Sequence, residues 1–176
     1  MEATLSKVPI SQRLNWRMIV FFLIVGLLPG YFVYQFMHEL VTGGITNAGG
    51  GYSHVELKAM SGFWFDQSNG TLKDVPEKWR KLEGQKVILE GEMWDPRGAG
   101  ERVSTYQLCY SIAKCCFNGP PQVQHFVDST AIEGKKLNYY SGLVQVKGVL
   151  HVNVRHDAGK VQSVYQMDVE SIDPVQ

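Results

Sequence analysis

Three cysteines and one histidine are the residues of this 176-residue chain whose types and spacing could do chemistry: Cys109, the adjacent pair Cys115-Cys116, and His125. Three readings of them stand side by side. In an oxidising compartment, a bond from Cys109 to Cys115 or Cys116 would staple the segment between them and leave one thiol over. A bond between the adjacent cysteines would be strained and easily reduced, which suits a redox-active loop. Alternatively, three thiolates with His125 make a Cys3His set of the kind that holds Zn2+ or Cu+. Adjacent cysteines are awkward joint ligands, however, and no C-x2-C or H-x3-H spacing accompanies them. The third reading is packing, since cysteine behaves as a small apolar residue. Cysteine catalysis needs a base and a group to orient it. His54, His125, His151 and His156 are present, but no motif sets any of them beside a thiol. No catalytic set is therefore assigned, and a non-enzymatic role is expected.

The aromatic run Phe63-Trp64-Phe65 is the other candidate. It reads as a core edge or a lid, and as a binding surface if it is exposed to a partner or to the membrane. Glu90 and Glu92, like His151 and His156, fall on what looks like the solvent side of strands.

Charge decides what kind of partner is excluded. The chain has 17 basic and 17 acidic residues and no net charge, which argues against nucleic acid as the main partner. The balance is uneven along the chain. Residues 1–17 carry Lys7, Arg13 and Arg17 against Glu2, so this stub is +2 and the rest is −2.

The elements that must position these residues begin with an apolar run. Met18 to Met37 has no charged residue, and about twenty helical residues rise about 30 Å, the thickness of a bilayer core. Pro29-Gly30 predicts a kink of a sort that membrane helices tolerate. With the basic residues before the run and none soon after it, the stub of residues 1–17 is expected in the cytoplasm and the remainder outside. This predicts a single-pass, uncleaved anchor at residues 18–37 in a bacterial inner membrane, with the C-terminal part in the periplasm. Residues 38–53, rich in glycine, read as a flexible linker, and a domain is expected over 54–174.

From His54 onward the apolar period is two. Leu143 to Arg155 puts Val144, Val146, Leu150, Val152 and Val154 on one face, and Val161, Tyr165, Met167 and Val169 continue the alternation in a hairpin partner. Gln85 to Trp94, Val103 to Ile112 and His54 to Met60 read as three further strands, with a short helix over Pro76 to Leu82 that buries Trp79 and Leu82. Gly91 and Gly148 stand mid-strand, where a small barrel must coil or bulge to close. A mainly β domain with an OB-like barrel of five or six strands is expected.

Three stretches carry a family resemblance: W-R-K-L-E-G-Q-K-V-I-L-E-G-E-M from Trp79 to Met93, the loop Cys115-Cys116-Phe117-Asn118-Gly119-Pro120-Pro121, and the hairpin from Gly148 to Met167. Over roughly Val55 to Asp173 the chain resembles DUF3299, a domain of unknown function in bacterial envelope proteins. It is most similar to the membrane-tethered versions with a C-C-x-G-P-P type of loop. It departs from many members in its doubled cysteine and its shorter proline run. The resemblance implies an envelope location and a barrel, not a reaction. The expected function is a membrane-anchored binding or scaffold module that meets an envelope protein partner, such as part of a transport system. A thiol or Zn/Cu protein using Cys109, Cys115 and Cys116 is the alternative, and otherwise no cofactor is expected.

Overall fold

The computed structural model describes residues 16–95, 98, 100–117, 121–132 and 135–175, without the side chains of 35–36, 38–42 and 115–117. Residues 1–15, carrying Lys7 and Arg13, and Asn118 to Pro120 of the cysteine loop lie outside the described residues. The chain divides into two compact units, one ending at Thr42 and one beginning at Gly43.

The first unit holds helix α1, Trp16–Thr42. Its continuous apolar sequence offers no alternation to a sheet, and the helix runs on through Pro29, which removes only one backbone donor. Trp16–Tyr34, with a mean hydropathy of 1.9 and no residue buried, is long and apolar enough to cross a membrane.

The second unit is mainly β. Its first strands correct the expected linker: β1 (Ile45–Gly49) and β2 (Tyr52–Val55) form an antiparallel hairpin. Gly49, Gly50 and Gly51 supply three consecutive positive φ angles at the turn, so glycine here bends a hairpin and does not loosen a tether. The folded unit thus starts about ten residues before the expected boundary at His54. The expected strand over His54–Met60 is also corrected. After β2 the chain turns into a short helix, α2 (Leu57–Ser61), because Leu57, Met60 and Ser61 bury together at helical spacing. A 3-10 turn, Leu72–Asp74, follows; Thr71 and Asp74 cap it reciprocally. Helix α3 (Glu77–Arg80) then places Trp79 and Leu82 in the core, as their spacing predicts.

Seven more strands complete the sheets: β3 (Gln85–Trp94), β5 (Thr105–Cys109), β6 (Phe126–Ala131), β8 (Leu143–Asp157) and β9 (Lys160–Pro174), with the short β4 (Arg102–Val103) paired to β7 (Leu137–Asn138). The expected strand from Val103 to Ile112 ends at Cys109, and helix α4 (Ile112–Phe117) takes over. The large sheet runs β1-β2-β3-β5-β6-β9-β8, and β8 pairs again with β3. The β6–β9 pairing is parallel, while β3–β5, β5–β6, β8–β9 and β3–β8 are antiparallel.

One edge of β3 faces β8; the other is shared, with Val87–Leu89 against β2 and Glu92–Trp94 against β5. Gly91 lies where that edge changes partner. A Cβ there would stand 2.5 Å from the Cys109 carbonyl oxygen. Gly148 is tighter still, since its Cβ would stand 2.1 Å from the Asp168 carbonyl oxygen. At the same point the β8–β9 register passes from Lys147 opposite Ser171 to Gly148 opposite Val169, so Glu170 is an extra residue on β9. The bulged Glu170 accepts a hydrogen bond from the Tyr52 hydroxyl and lies 3.1 Å from the Lys86 ammonium, fastening β2 across β3 to β9.

The core lies between these strands. Val87, Leu89 and Met93 meet Val144, Val146, Leu150 and Val152, with Tyr165, Met167 and Val169 from β9, all nearly solvent-free. Each such side chain contributes about 1.5–3 kcal/mol on burial. Outside the core, His151 bridges two carboxylates, with Nδ1 3.2 Å from Glu83 and Nε2 3.1 Å from Asp168. Glu83 also accepts the Val152 amide, so it joins the turn after α3 to β8.

Two measurements follow from this frame. Replacing Gly148 with Ala should cost about 3 kcal/mol or more in urea unfolding, because backbone must move to admit the methyl; an unchanged midpoint would refute the close crossing. Hydrogen bonding to Glu83, joined by Asp168, raises the His151 pKa above its ordinary 6.5. Its stabilising contribution is therefore complete below about pH 6.5 and is lost as pH rises through the raised folded value. His151→Gln should remove that part of the pH dependence of the unfolding midpoint, and a variant with the same slope as the parent would exclude the bridge.

Candidate functional site

Alternation along β5 sends Tyr106 and Leu108 into the core and Thr105, Gln107 and Cys109 to the other face. Register then assembles that face. Opposite Thr105, Gln107 and Cys109 stand Thr130, Asp128 and Phe126 of β6, while β3 sets Trp94 beside Gln107 and Glu92 beside Cys109. Three strands therefore share an outer face, apolar at one end and polar at the other.

Cys109, Phe126, Trp94, Tyr110 and Ile112 pack together at the apolar end. The Trp94 and Phe126 rings lie 5.7 Å apart at an interplanar angle of 36°. Helix α4 begins here. Glu92 accepts the Ile112 amide at 2.6 Å, satisfying one of the donors left open at the start of a helix. Cys109 is fully buried in this cluster, and its thiol donates to the Glu92 carbonyl oxygen at 3.6 Å. Glu92, expected to be a plain solvent-side carboxylate, thus holds the helix that carries Cys115 and Cys116. The side chains of those two cysteines lie outside the described residues.

The polar end is a groove of about 290 Å3. Thr105, Gln107, Asp128 and Thr130 line its floor, with Asp95 beyond β3 and Arg155 near the end of β8. Gln107 donates from Nε2 to Asp128 Oδ1 at 2.9 Å, so the two planar groups are held side by side. A second cavity, of about 400 Å3, adjoins it through Asp128 and Arg155 and continues along His156, Asp157, Gln162 and Ser163. The Arg155 side chain is exposed and has no ion-pair partner among the described residues. Sequence reasoning ended a strand at Arg155 but missed the groove, because β6 was not recognised. Phe126–Ala131 is buried at four of six positions on both faces, which blurs the period-two signal.

The other candidates fall elsewhere. His125 ends a 3-10 turn, Val123–His125, leading into β6. Its Nδ1 is buried without a hydrogen-bond partner among the described residues, and burial holds its pKa below the ordinary value, favouring the neutral ring. Among the described residues no three His, Cys, Asp or Glu side chains come together to hold a metal ion. The aromatic run divides by residue. Phe65 is core, Phe63 packs edge-on to it at 6.0 Å, and Trp64 is 82% exposed. Glutamines fix this segment: buried Gln124 donates to the Phe63 carbonyl at 3.1 Å, and Gln67 donates to Gln124 at 3.0 Å and accepts the Val123 amide at 2.9 Å.

Burial makes a direct prediction for the thiol. In a Cys115→Ser/Cys116→Ser variant, Cys109 should resist maleimide labelling while folded and react fully in urea; rapid labelling of the native protein would remove it from the core of this face.

No family model and no curated protein matches the chain. The structure is similar to the crystal structure of a DUF3299 family protein from Pseudomonas aeruginosa, with 16% identity over 68% of this chain and 79% of that one and a TM-score of 0.43.

Proposed function

We propose that the chain is a membrane-anchored, extracytoplasmic binding module whose β3, β5, β6, β8 and β9 make an OB-like barrel, with a polar ligand held on the β5–β6 face. The observation that carries this reading is the groove itself, continuous across two cavities and floored by the cross-strand pairs Thr105–Thr130 and Gln107–Asp128. Its setting supports it. The pairing order β3-β5-β6-β9-β8 returns to β3, with β6 and β9 parallel, and OB barrels bind ligands on the face of their second and third strands, between two end loops. Those strands correspond here to β5 and β6, and the end loops to the segments after β3 and after β8. The apolar helix α1 supports anchoring, and Lys7 and Arg13 before it with Arg17 in its first turn support an outward C-terminal unit. Service to an envelope transport system is the scaffold form of the same reading.

A thiol role is the second reading. Its support is placement: Glu92 docks α4, bearing Cys115 and Cys116, on the flank that carries Cys109. Against it stands the complete burial of Cys109. Two thiols gained on reduction of protein from its own membrane would favour it, and three thiols counted before reduction would end it.

The binding reading makes a joint prediction. A phosphatase reporter fused after Gln176 should be active, as it would be outside the cytoplasm. Amide shifts on adding soluble bacterial envelope extract to the full chain in nanodiscs should concentrate at residues 105–107, 128–130 and 155–163. An inactive reporter would overturn the orientation, and shifts that avoid the groove would overturn the binding site.

A further inference from the structure

The groove can be read further for the chemistry of its occupant, and this step rests on the binding reading above. Its lining is rich in groups that recognise hydroxyls. Asp128 keeps one carboxylate oxygen beyond its bond to Gln107, Thr130 offers a hydroxyl on the floor, and Arg155 presents a planar donor fork with no ion-pair partner among the described residues. A carboxylate and a guanidinium at one junction suit adjacent hydroxyls, one accepting and one donating.

Rival occupants fit less well. A polyanion such as nucleic acid or a phosphorylated chain meets Asp95, Asp128 and Asp157 against Arg155, an unfavourable balance. An extended peptide adding as a strand needs an open sheet edge. Here β6 is paired on both sides, by β5 and β9, and β5 is paired by β6 along its length and by β3 over Gln107–Cys109. What remains is an uncharged ligand, polar all round, long enough to occupy two adjoining cavities of about 290 and 400 Å3.

We propose that the paired cavities meeting at Asp128 and Arg155 bind a neutral oligosaccharide, with Arg155 and Asp128 gripping hydroxyls at the junction between two sugar subsites. Arg155 is exposed, so its truncation removes the contact and leaves the fold intact.

The test is titration of the full chain in nanodiscs, without sugar-based detergent, followed by amide shifts and calorimetry. The probes are neutral tetrasaccharides of β-1,4-linked N-acetylglucosamine, of glucose and of mannose, beside a twelve-residue oligothymidylate and hexalysine. At least one tetrasaccharide should shift the amides of Gln107, Asp128 and Arg155, and Arg155→Ala and Asp128→Asn should each weaken it at least tenfold with unchanged unfolding midpoints. If oligothymidylate or hexalysine shifts those amides and no tetrasaccharide does, the sugar assignment is overturned while the groove stands as a binding site. If no probe shifts them while envelope extract does, the sugar class falls in the same way. If neither probes nor extract touch the groove, both readings fall together. Tetrasaccharide binding that is indifferent to both substitutions would also overturn the proposal.

Discussion

Everything in the folded unit depends on β8 passing over β9 at Gly148, where a single added methyl would stand 2.1 Å from a backbone oxygen. That approach lets one long strand serve two partners, β9 along most of its length and β3 over Gln85–Glu92. Gly91 makes the matching allowance on β3, where the far edge is handed from β2 to β5. The cost of two side chains lost from the core is small beside the apolar surface that the returning pairing buries. The bulge that accompanies the crossing is used as well, since it turns Glu170 out to Tyr52 and Lys86 and secures the N-terminal hairpin.

Once the pairing returns on itself, each of its strands has an inner and an outer face with different duties. The inner face is nearly all apolar, and its exceptions are small: Ser129 satisfies its hydroxyl on the Val127 carbonyl. Tyr106 carries its phenol into that interior, where burial pushes its pKa up and keeps it protonated. The outer face of β3, β5 and β6 is where chemistry is possible, and α4 divides it. One end is sealed by the helix over Cys109, and the other is left as a groove between the strand ends. Glu92, by fixing the start of α4, sets where the seal stops.

Much of this was legible in the residues because period-two patterning is strong wherever only one face is buried. Val144, Val146, Leu150 and Val152 on β8 and Val161, Tyr165, Met167 and Val169 on β9 are buried as their alternation requires, and β3 has the bounds its pattern predicts. The mid-strand glycines also announced the close crossings. Where two physical readings share one composition, the sequence was mute. Glycines at residues 43–51 serve a flexible linker or a hairpin turn equally well, and only pairing with β3 through β2 decides between them. Helix α2 shows the same ambiguity, since Leu57 and Met60 suit a strand's end as well as one helical turn. The groove was hidden for a different reason. Its residues come from β5, β6 and β8, and no local pattern could report that Gln107 stands opposite Asp128 or that Arg155 lies nearby.

The pairing of β3 with β8 has a kinetic side. Gln85 meets Leu150 and Glu92 meets Leu143, so one edge of β3 waits for more than fifty further residues before it is covered. The parallel pairing of β6 with β9 is also non-local, and contacts of this sort are slow to form because the loop between them must be closed first. Until β8 arrives, a strand with Val87, Leu89 and Met93 on one side offers an open edge to any other unfinished chain. Any truncation before Leu143 would leave that edge open for good, so the C-terminal hairpin acts as the guard against aggregation as well as the last wall of the core.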